Sequence, residues 1–178
     1  MAINRDYLGR TYPPTEPYEV SRVKLAEFAD AIGDQNPVHR DGDAARAAGY
    51  RDVVAPPTFP IVISMAGSAR AVMDPGLGIN YAMVVHGEQR FEYNRPLFAG
   101  DTVTAQSTIS DIREAGRNVL LTTRTEITTV EGEHVCTAYS TIVERGGTIQ
   151  ESGPAAGQGS EQVGSASTAP ESEEAASR

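Results

Sequence analysis

Thr58-Phe59-Pro60-Ile61-Val62-Ile63-Ser64-Met65-Ala66, continuing to about Met73, is the stretch that decides how this chain folds. Pro60 suits the first turn of a helix, where a missing N–H costs little, and Thr58 is placed to cap it. The segment is apolar nearly all round, so it predicts a helix fully buried at the centre of the molecule. Ala55-Pro56-Pro57 before it is a stiff extended turn. Further upstream, Tyr18-Glu19-Val20 reads as a short strand and Ser21 as an N-cap. Val23, Leu25, Ala26, Phe28, Ala29 and Ile32 approximate the helical period, and Gly33 ends that helix. A polar loop over Asp34 to Asp41 follows, then a small-residue helix from Asp43 to Ala48 with Gly49 at its C-cap.

Downstream of the apolar helix the period changes. Met83-Val84-Val85 leads into Gln89-Arg90-Phe91-Glu92-Tyr93, where apolar residues alternate. Alternation places Val85, Gln89, Phe91 and Tyr93 on one face and His86 and Glu88 on the other. Thr102 to Ile112, Asn118 to Val130 and His134 to Val143 alternate likewise and are rich in Val, Ile and Thr. Gly100-Asp101, Ala115-Gly116 and Glu131-Gly132 punctuate them as turns. Short connections between strands mean antiparallel hairpins. Helices first and strands second is the α+β order, most simply met by one curled antiparallel sheet against one long buried helix.

The chain has 178 residues and a formal charge of −9, from 15 Lys+Arg and 24 Asp+Glu. That charge argues against a general nucleic-acid binder, which needs a basic face. Gly146 to Arg178 has no hydrophobic periodicity and holds five acids against one arginine, −4 of the −9. Such a segment buries too little apolar surface to offset its ordering entropy, so residues 146–178 are expected to be a disordered tail and residues 1–145 the folded domain. No apolar run approaches the roughly 20 residues of a membrane span. Met1 to Arg10 lacks the apolar stretch of a secretory signal. A reducing, cytoplasmic setting is the expectation, with the lone Cys136 a small buried hydrophobe.

No cofactor or metal is expected. Gly76-Leu77-Gly78-Ile79-Asn80 lacks both the Lys-Ser/Thr ending of a phosphate loop and the dinucleotide fingerprint. His39, His86 and His134 lie far apart, without paired metal-ligand spacing. The chemistry concentrates in Gly33-Asp34-Gln35-Asn36-Pro37-Val38-His39. Asn36-Pro37 forces a turning backbone, and a chain folding back over it brings Asp34 and His39 to one spot. A carboxylate and an imidazole converging on one water make an acid–base pair, because histidine titrates near neutral pH. The alternative from spacing alone is an Asx-turn at Asp34 or Asn36 with His39 an ordinary surface side chain.

That loop, with the small residue Ala45 beyond it, resembles the hydratase motif of the MaoC-like family of (R)-specific enoyl-CoA hydratases and (3R)-hydroxyacyl-ACP dehydratases. Ala55-Pro56-Pro57-Thr58-Phe59, Gln89-Arg90-Phe91, Arg95-Pro96-Leu97 and Ala99-Gly100-Asp101 extend the resemblance over nearly all of residues 5–145, nearest to HadA-like subunits. It implies a single hotdog fold, in which a curved antiparallel sheet wraps a central helix. It also implies a hydro-lyase of fatty-acid metabolism acting on acyl-ACP or acyl-CoA. Asp34 and His39 would be its catalytic pair. Asn36 would orient the pair or the water, or else serve the turn. The family takes an oxyanion donor from a backbone N–H where the central helix begins, often at a glycine. This chain has Pro57 there, so the donor would be the Thr58 N–H. HadA-like subunits are typically non-catalytic, so the alternative is an acyl-chain-binding subunit with a HadB-like partner. A thioesterase is a further alternative for a hotdog fold, against which the motif argues. Arg90, Arg95, Arg117 and Arg124 form a basic rim for carrier phosphates or are solvated sheet residues. A lone hotdog domain leaves a sheet edge unfinished, so a homodimer or heterodimer is expected, with His86 at the surface or interface.

Overall fold

The computed structural model describes residues 2–150. Its main sheet has five strands in the order β2-β4-β5-β6-β3: Tyr18–Glu19, Thr102–Ala115, Asn118–Thr129, His134–Arg145 and Val84–Tyr93. All pairings are antiparallel, and the hairpins turn where glycine supplies the left-handed backbone, as at Gly116 between β4 and β5 (φ +64°). The strands form for the reason the alternation gave. Along β5, Val119, Leu121, Thr123, Thr125 and Ile127 are buried while the residues between them are half-exposed.

Helix α3, Pro60–Val72, lies across the inward face of this sheet. A Cβ at its Gly67 would stand 3.1 Å from Ala105 Cβ and 3.1 Å from Ser107 Oγ, so glycine marks the point of closest approach. The core divides there. Phe59 and Ile63 anchor one apolar cluster with Leu25, Val103 and Ile127, and Ala71 and Leu77 anchor the other with Ile3, Ile109 and Leu121. Between them Ser107 and Thr125 hydrogen-bond to each other at 2.6 Å, which satisfies both buried hydroxyls. Helix α1, Arg22–Ala31, is capped by Ser21 Oγ accepting the Lys24 N–H, and Phe28 meets Phe59 edge to face at 5.3 Å. Helix α2, Gly42–Ala47, is capped by Asp41. This is the hotdog arrangement the resemblance implies.

Three expectations change. The central helix is not buried on every side, for Met65 is 63% exposed on its outer face and Met73 68% at its C-terminal end. Thr58 does not cap it. The N-cap is Phe59, already in helical conformation, because a turn closed by Phe59 N–H to Pro56 O at 2.9 Å runs straight into the helix. The fold also passes residue 145: β7, Thr148–Gln150, pairs in parallel with β1, Ala2–Asn4, and this two-stranded sheet buries Ile3. The rest of the expected tail, 151–178, lies outside the described residues. No helix among the described residues is long and apolar enough to cross a membrane.

Candidate active site

The end of α1 sets the direction of the loop that follows. Gly33 takes a left-handed conformation (φ +73°), with its N–H on Asp30 O and the Asp34 N–H on Ala29 O at 2.8 Å. This paired closure is the glycine-terminated helix end that satisfies the last carbonyls. Asp34 then turns the chain by accepting the Asn36 N–H on Oδ1 at 2.9 Å. Asn36 Oδ1 accepts the Val38 N–H at 3.2 Å and caps the short 3₁₀ turn Pro37–His39. The amide oxygen of Asn36 therefore serves the turn.

The turn delivers His39 inward, to 6% exposure. Its Nδ1 lies 2.7 Å from Val54 O. A carbonyl only accepts, so Nδ1 carries the proton in that bond. In the neutral ring Nε2 then keeps its lone pair, and Nε2 faces Asp34 Oδ2 at 3.3 Å. Asp34 and His39 are thus brought together, and His39 is not an ordinary surface side chain. One proton-accepting nitrogen and one carboxylate oxygen stand side by side, close enough to hydrogen-bond to the same water.

His39 lines a cavity of about 430 Å³ with Asn36, Tyr50, Val54, Pro57 and Tyr93 among its other walls, and Asp34 stands behind it. Thr58 follows Pro57 at the start of α3, and its N–H has no hydrogen-bond partner among the described residues. Tyr93 and Tyr50 were not singled out in the sequence. The available signal for Tyr93 was its place in the alternation with Gln89 and Phe91. Its hydroxyl donates to Pro57 O at 2.7 Å, and burial pushes its ionisation well above the ordinary tyrosine range.

A second cavity, about 380 Å³, opens between α3 and the inward faces of β5, β6 and β3, with Met65, Val72, Leu121 and Ile142 among its walls. His86 also lines it, which corrects the expected facing. The register of β3 on β6 shifts between His86 and Glu88, so Gly87 is an extra residue that turns the strand over. His86 opposite Ile142, Gln89 opposite Ser140 and Tyr93 opposite Cys136 consequently share one face, and Glu88 points the other way. Gln89 stands between the two cavities with both amide atoms buried and without a hydrogen-bond partner among the described residues.

The other singled-out residues fall elsewhere. Arg90 pairs with Glu92 and lies over the Tyr139 ring at 4.0 Å, and Arg124 pairs with Glu126 at 2.7 Å. Arg95 pairs with Asp101 and Glu133. Each of these three guanidiniums is matched by a carboxylate, and Arg117 sits apart in the β4–β5 turn, so the four do not assemble a free basic rim. Cys136 is buried in the core, and burial pushes its thiol up to about 11.

Comparison with known proteins agrees with this fold. A family model described as "FAS1-like, dehydratase domain region" matches residues 7–138. A UPF0336 protein of Thermobifida fusca (strain YX) is 58% identical over 146 residues, covering 82% of this chain and 96% of its own length. Among solved structures, a MaoC-like dehydratase superposes with a TM-score of 0.72 at 33% identity, over 80% of this chain and 42% of that one, so this chain spans less than half of it. A chain of the HadBC (3R-hydroxyacyl-ACP dehydratase) complex from Mycobacterium tuberculosis gives 0.67 at 29% identity, over 78% and 97%. The chain therefore belongs to the MaoC-like hydratase and dehydratase family, as a single hotdog domain that matches the FAS1-like dehydratase region.

Proposed function

We propose that the chain is an (R)-specific hydro-lyase that interconverts trans-2-enoyl and (3R)-hydroxyacyl thioesters on ACP or CoA. It acts as one subunit of a dimer in fatty-acid metabolism. The observation that carries this reading is the Asp34 Oδ2 to His39 Nε2 approach of 3.3 Å, with Nδ1 held by Val54 O, at the edge of a cavity. In hydration, a water hydrogen-bonded to both groups bonds through oxygen to C3 of the enoyl thioester. One member of the pair takes the water's proton as the electron pair passes to the thioester enolate. That proton, handed across the pair, is supplied to C2 by the other as the enolate collapses. Nε2 is the ring nitrogen at which the proton moves, since Nδ1 is committed. Dehydration reverses these steps. The Thr58 N–H supplies the hydrogen bond to the enolate oxygen, where charge develops. The acyl chain runs past Gln89 toward the second cavity.

The test is loss of enoyl absorbance from crotonyl-CoA by the chain alone, with free-thiol release followed in parallel. Turnover by the wild type and a fall of about 10²- to 10⁴-fold in Asp34→Asn are expected, since that is what one positioned acid or base contributes. An Asp34→Asn variant as fast as wild type sinks the assignment, and thiol release makes the protein a thioesterase. One observation favours a second reading. Pro57 has no N–H at the place where the family often has glycine, as befits a subunit that only binds the acyl chain. No turnover alone, with strong stimulation of a HadB-like partner, establishes that reading instead.

A further inference from the structure

Tyr93 is the last residue of β3, and its hydroxyl reaches across the cavity wall to Pro57 O at 2.7 Å. Both residues line the cavity that holds His39. They are 36 positions apart, so the contact ties the end of a sheet strand to the chain just before α3.

The carbonyl that Tyr93 engages belongs to the same peptide unit as the Thr58 N–H. A peptide unit is planar, and the described residues contain no cis peptide bond, so this N–H and C=O point in opposite directions. Holding the oxygen in place therefore holds the hydrogen in place. A donor on the carbonyl also polarises the unit and makes its N–H a better donor, since hydrogen bonds in series strengthen one another. The neighbouring groups are committed or missing. Phe59 N–H closes on Pro56 O at 2.9 Å, Ile61 N–H closes on Thr58 O at 3.1 Å, and Pro57 and Pro60 carry no N–H. Burial keeps the Tyr93 phenol protonated, so it remains a donor throughout the working pH range.

We infer that Tyr93 is a positioning residue, which aims and strengthens the Thr58 N–H as the hydrogen-bond donor to the thioester oxygen. This rests on the hydro-lyase reading for its reaction but concerns the carbonyl of the substrate rather than the water. It also explains how a site with proline at residue 57 keeps a directed donor: the amide one residue later is aimed by a side chain from the sheet.

The experiment compares wild type, Tyr93→Phe and Asp34→Asn in two measurements. In steady-state turnover of crotonyl-CoA, Tyr93→Phe is expected to lower kcat by about 10- to 100-fold, somewhat less than deleting an oxyanion donor outright, with KM changed by no more than about twofold. In difference infrared spectra of bound butyryl-CoA carrying a ¹³C-labelled thioester carbonyl, the wild type shifts the carbonyl stretch to lower wavenumber than in water. Tyr93→Phe returns it toward the aqueous value, and Asp34→Asn keeps the shift. Replacing Tyr93 by 3-fluorotyrosine, which keeps the ring and strengthens the phenolic donor, moves the stretch further down. An unshifted carbonyl in the wild type, or a shift that Tyr93→Phe leaves intact, overturns the inference. A fall in thermal stability with the stretch unmoved also overturns it, since that is a structural role alone. Failure of Asp34→Asn to slow turnover overturns the hydro-lyase reading, while the spectra need only binding and judge Tyr93 separately.

Discussion

Asp101 is 7% exposed, and its carboxylate is met from three directions. Arg51 pairs with Oδ1, Arg95 donates to Oδ2 at 2.7 Å, and the buried Phe98 N–H donates to Oδ2 at 2.9 Å. Arg95 reaches on to Glu133, whose carboxylate is held below its usual range by that bond. The cluster fixes the turn between β3 and β4, beside Leu97 of the active-site cavity wall. Removing one partner of a buried charged pair leaves the other uncompensated, which costs more than the pair contributes. Asp101→Ala is therefore expected to lose about 3 kcal/mol, or about 10 °C of Tm for a domain of this size. Asp101→Asn, which still accepts from Phe98, is expected to lose about half as much. Thermal denaturation of both variants checks the order, and two variants as stable as wild type refute it. In the sequence Gly100-Asp101 was legible as a turn. Its charge partner Arg51 was not, because 50 positions separate them and no local pattern links them.

At the scale of elements, the parts read correctly are those whose side chains repeat with a period. Strand β5 shows the two-residue alternation over all twelve residues and β4 over its first eight, up to the register shift after Ile109, and α1 ends at the glycine where its pattern stops. Strand β6 departs from the expected alternation by burying four successive residues, Val135 to Ala138. The Asp34–His39 approach was legible for a related reason: helix end, Asx-turn and Asn-Pro act within seven residues. What escaped depends on long-range pairing or on one extra residue. Strands β1 and β7 have three residues each, too few to show alternation, and they pair across nearly the whole domain. Gly87 turns β3 over and so reverses the facing of His86, and nothing local separates a bulge glycine from an ordinary one. The packing of α3 on the sheet gives a test at this scale. Gly67→Ala gains about 1 kcal/mol of helix propensity, yet its methyl meets Ala105, Ser107 and Thr125 at 3.1 to 3.2 Å. Those neighbours belong to paired strands and yield little, so overpacking wins, with a net loss of about 1 kcal/mol and about 3 kcal/mol for Gly67→Val. A Gly67→Ala variant that melts higher than wild type shows that the sheet gives way instead.

For the whole molecule, the central helix is half covered. Met65 on the outer face of α3 and Met73 at its C-terminal end stand open, as do Tyr81 and Met83 in the chain segment that leads into β3. Strand β3 is itself an edge of the sheet, and its ten residues leave one row of backbone N–H and C=O groups unpaired. A long edge beside an apolar face is a liability for a lone chain and a ready surface for a second subunit. The matched residues make up 96% of the Thermobifida fusca relative but only 42% of the MaoC-like dehydratase chain, which has room for a second such domain. A second copy placed against β3 and α3 pairs the edge, covers the methionines and closes the open side of the second cavity. A stable interface of this kind buries about 800 Å² on each partner. Sedimentation equilibrium is expected to give about twice the 18.9 kDa of the chain. Met65→Glu supplies the control, because Met65 is exposed in the single chain and its replacement leaves that chain's packing intact. By two-fold symmetry one substitution buries two carboxylates, at about 4 kcal/mol together, which weakens the dimer about a thousandfold. Met65→Glu should sediment as a monomer at micromolar concentration with an unchanged far-ultraviolet circular dichroism spectrum. A wild type that sediments as a monomer, or a Met65→Glu variant that stays dimeric, places the second subunit on another surface or removes it.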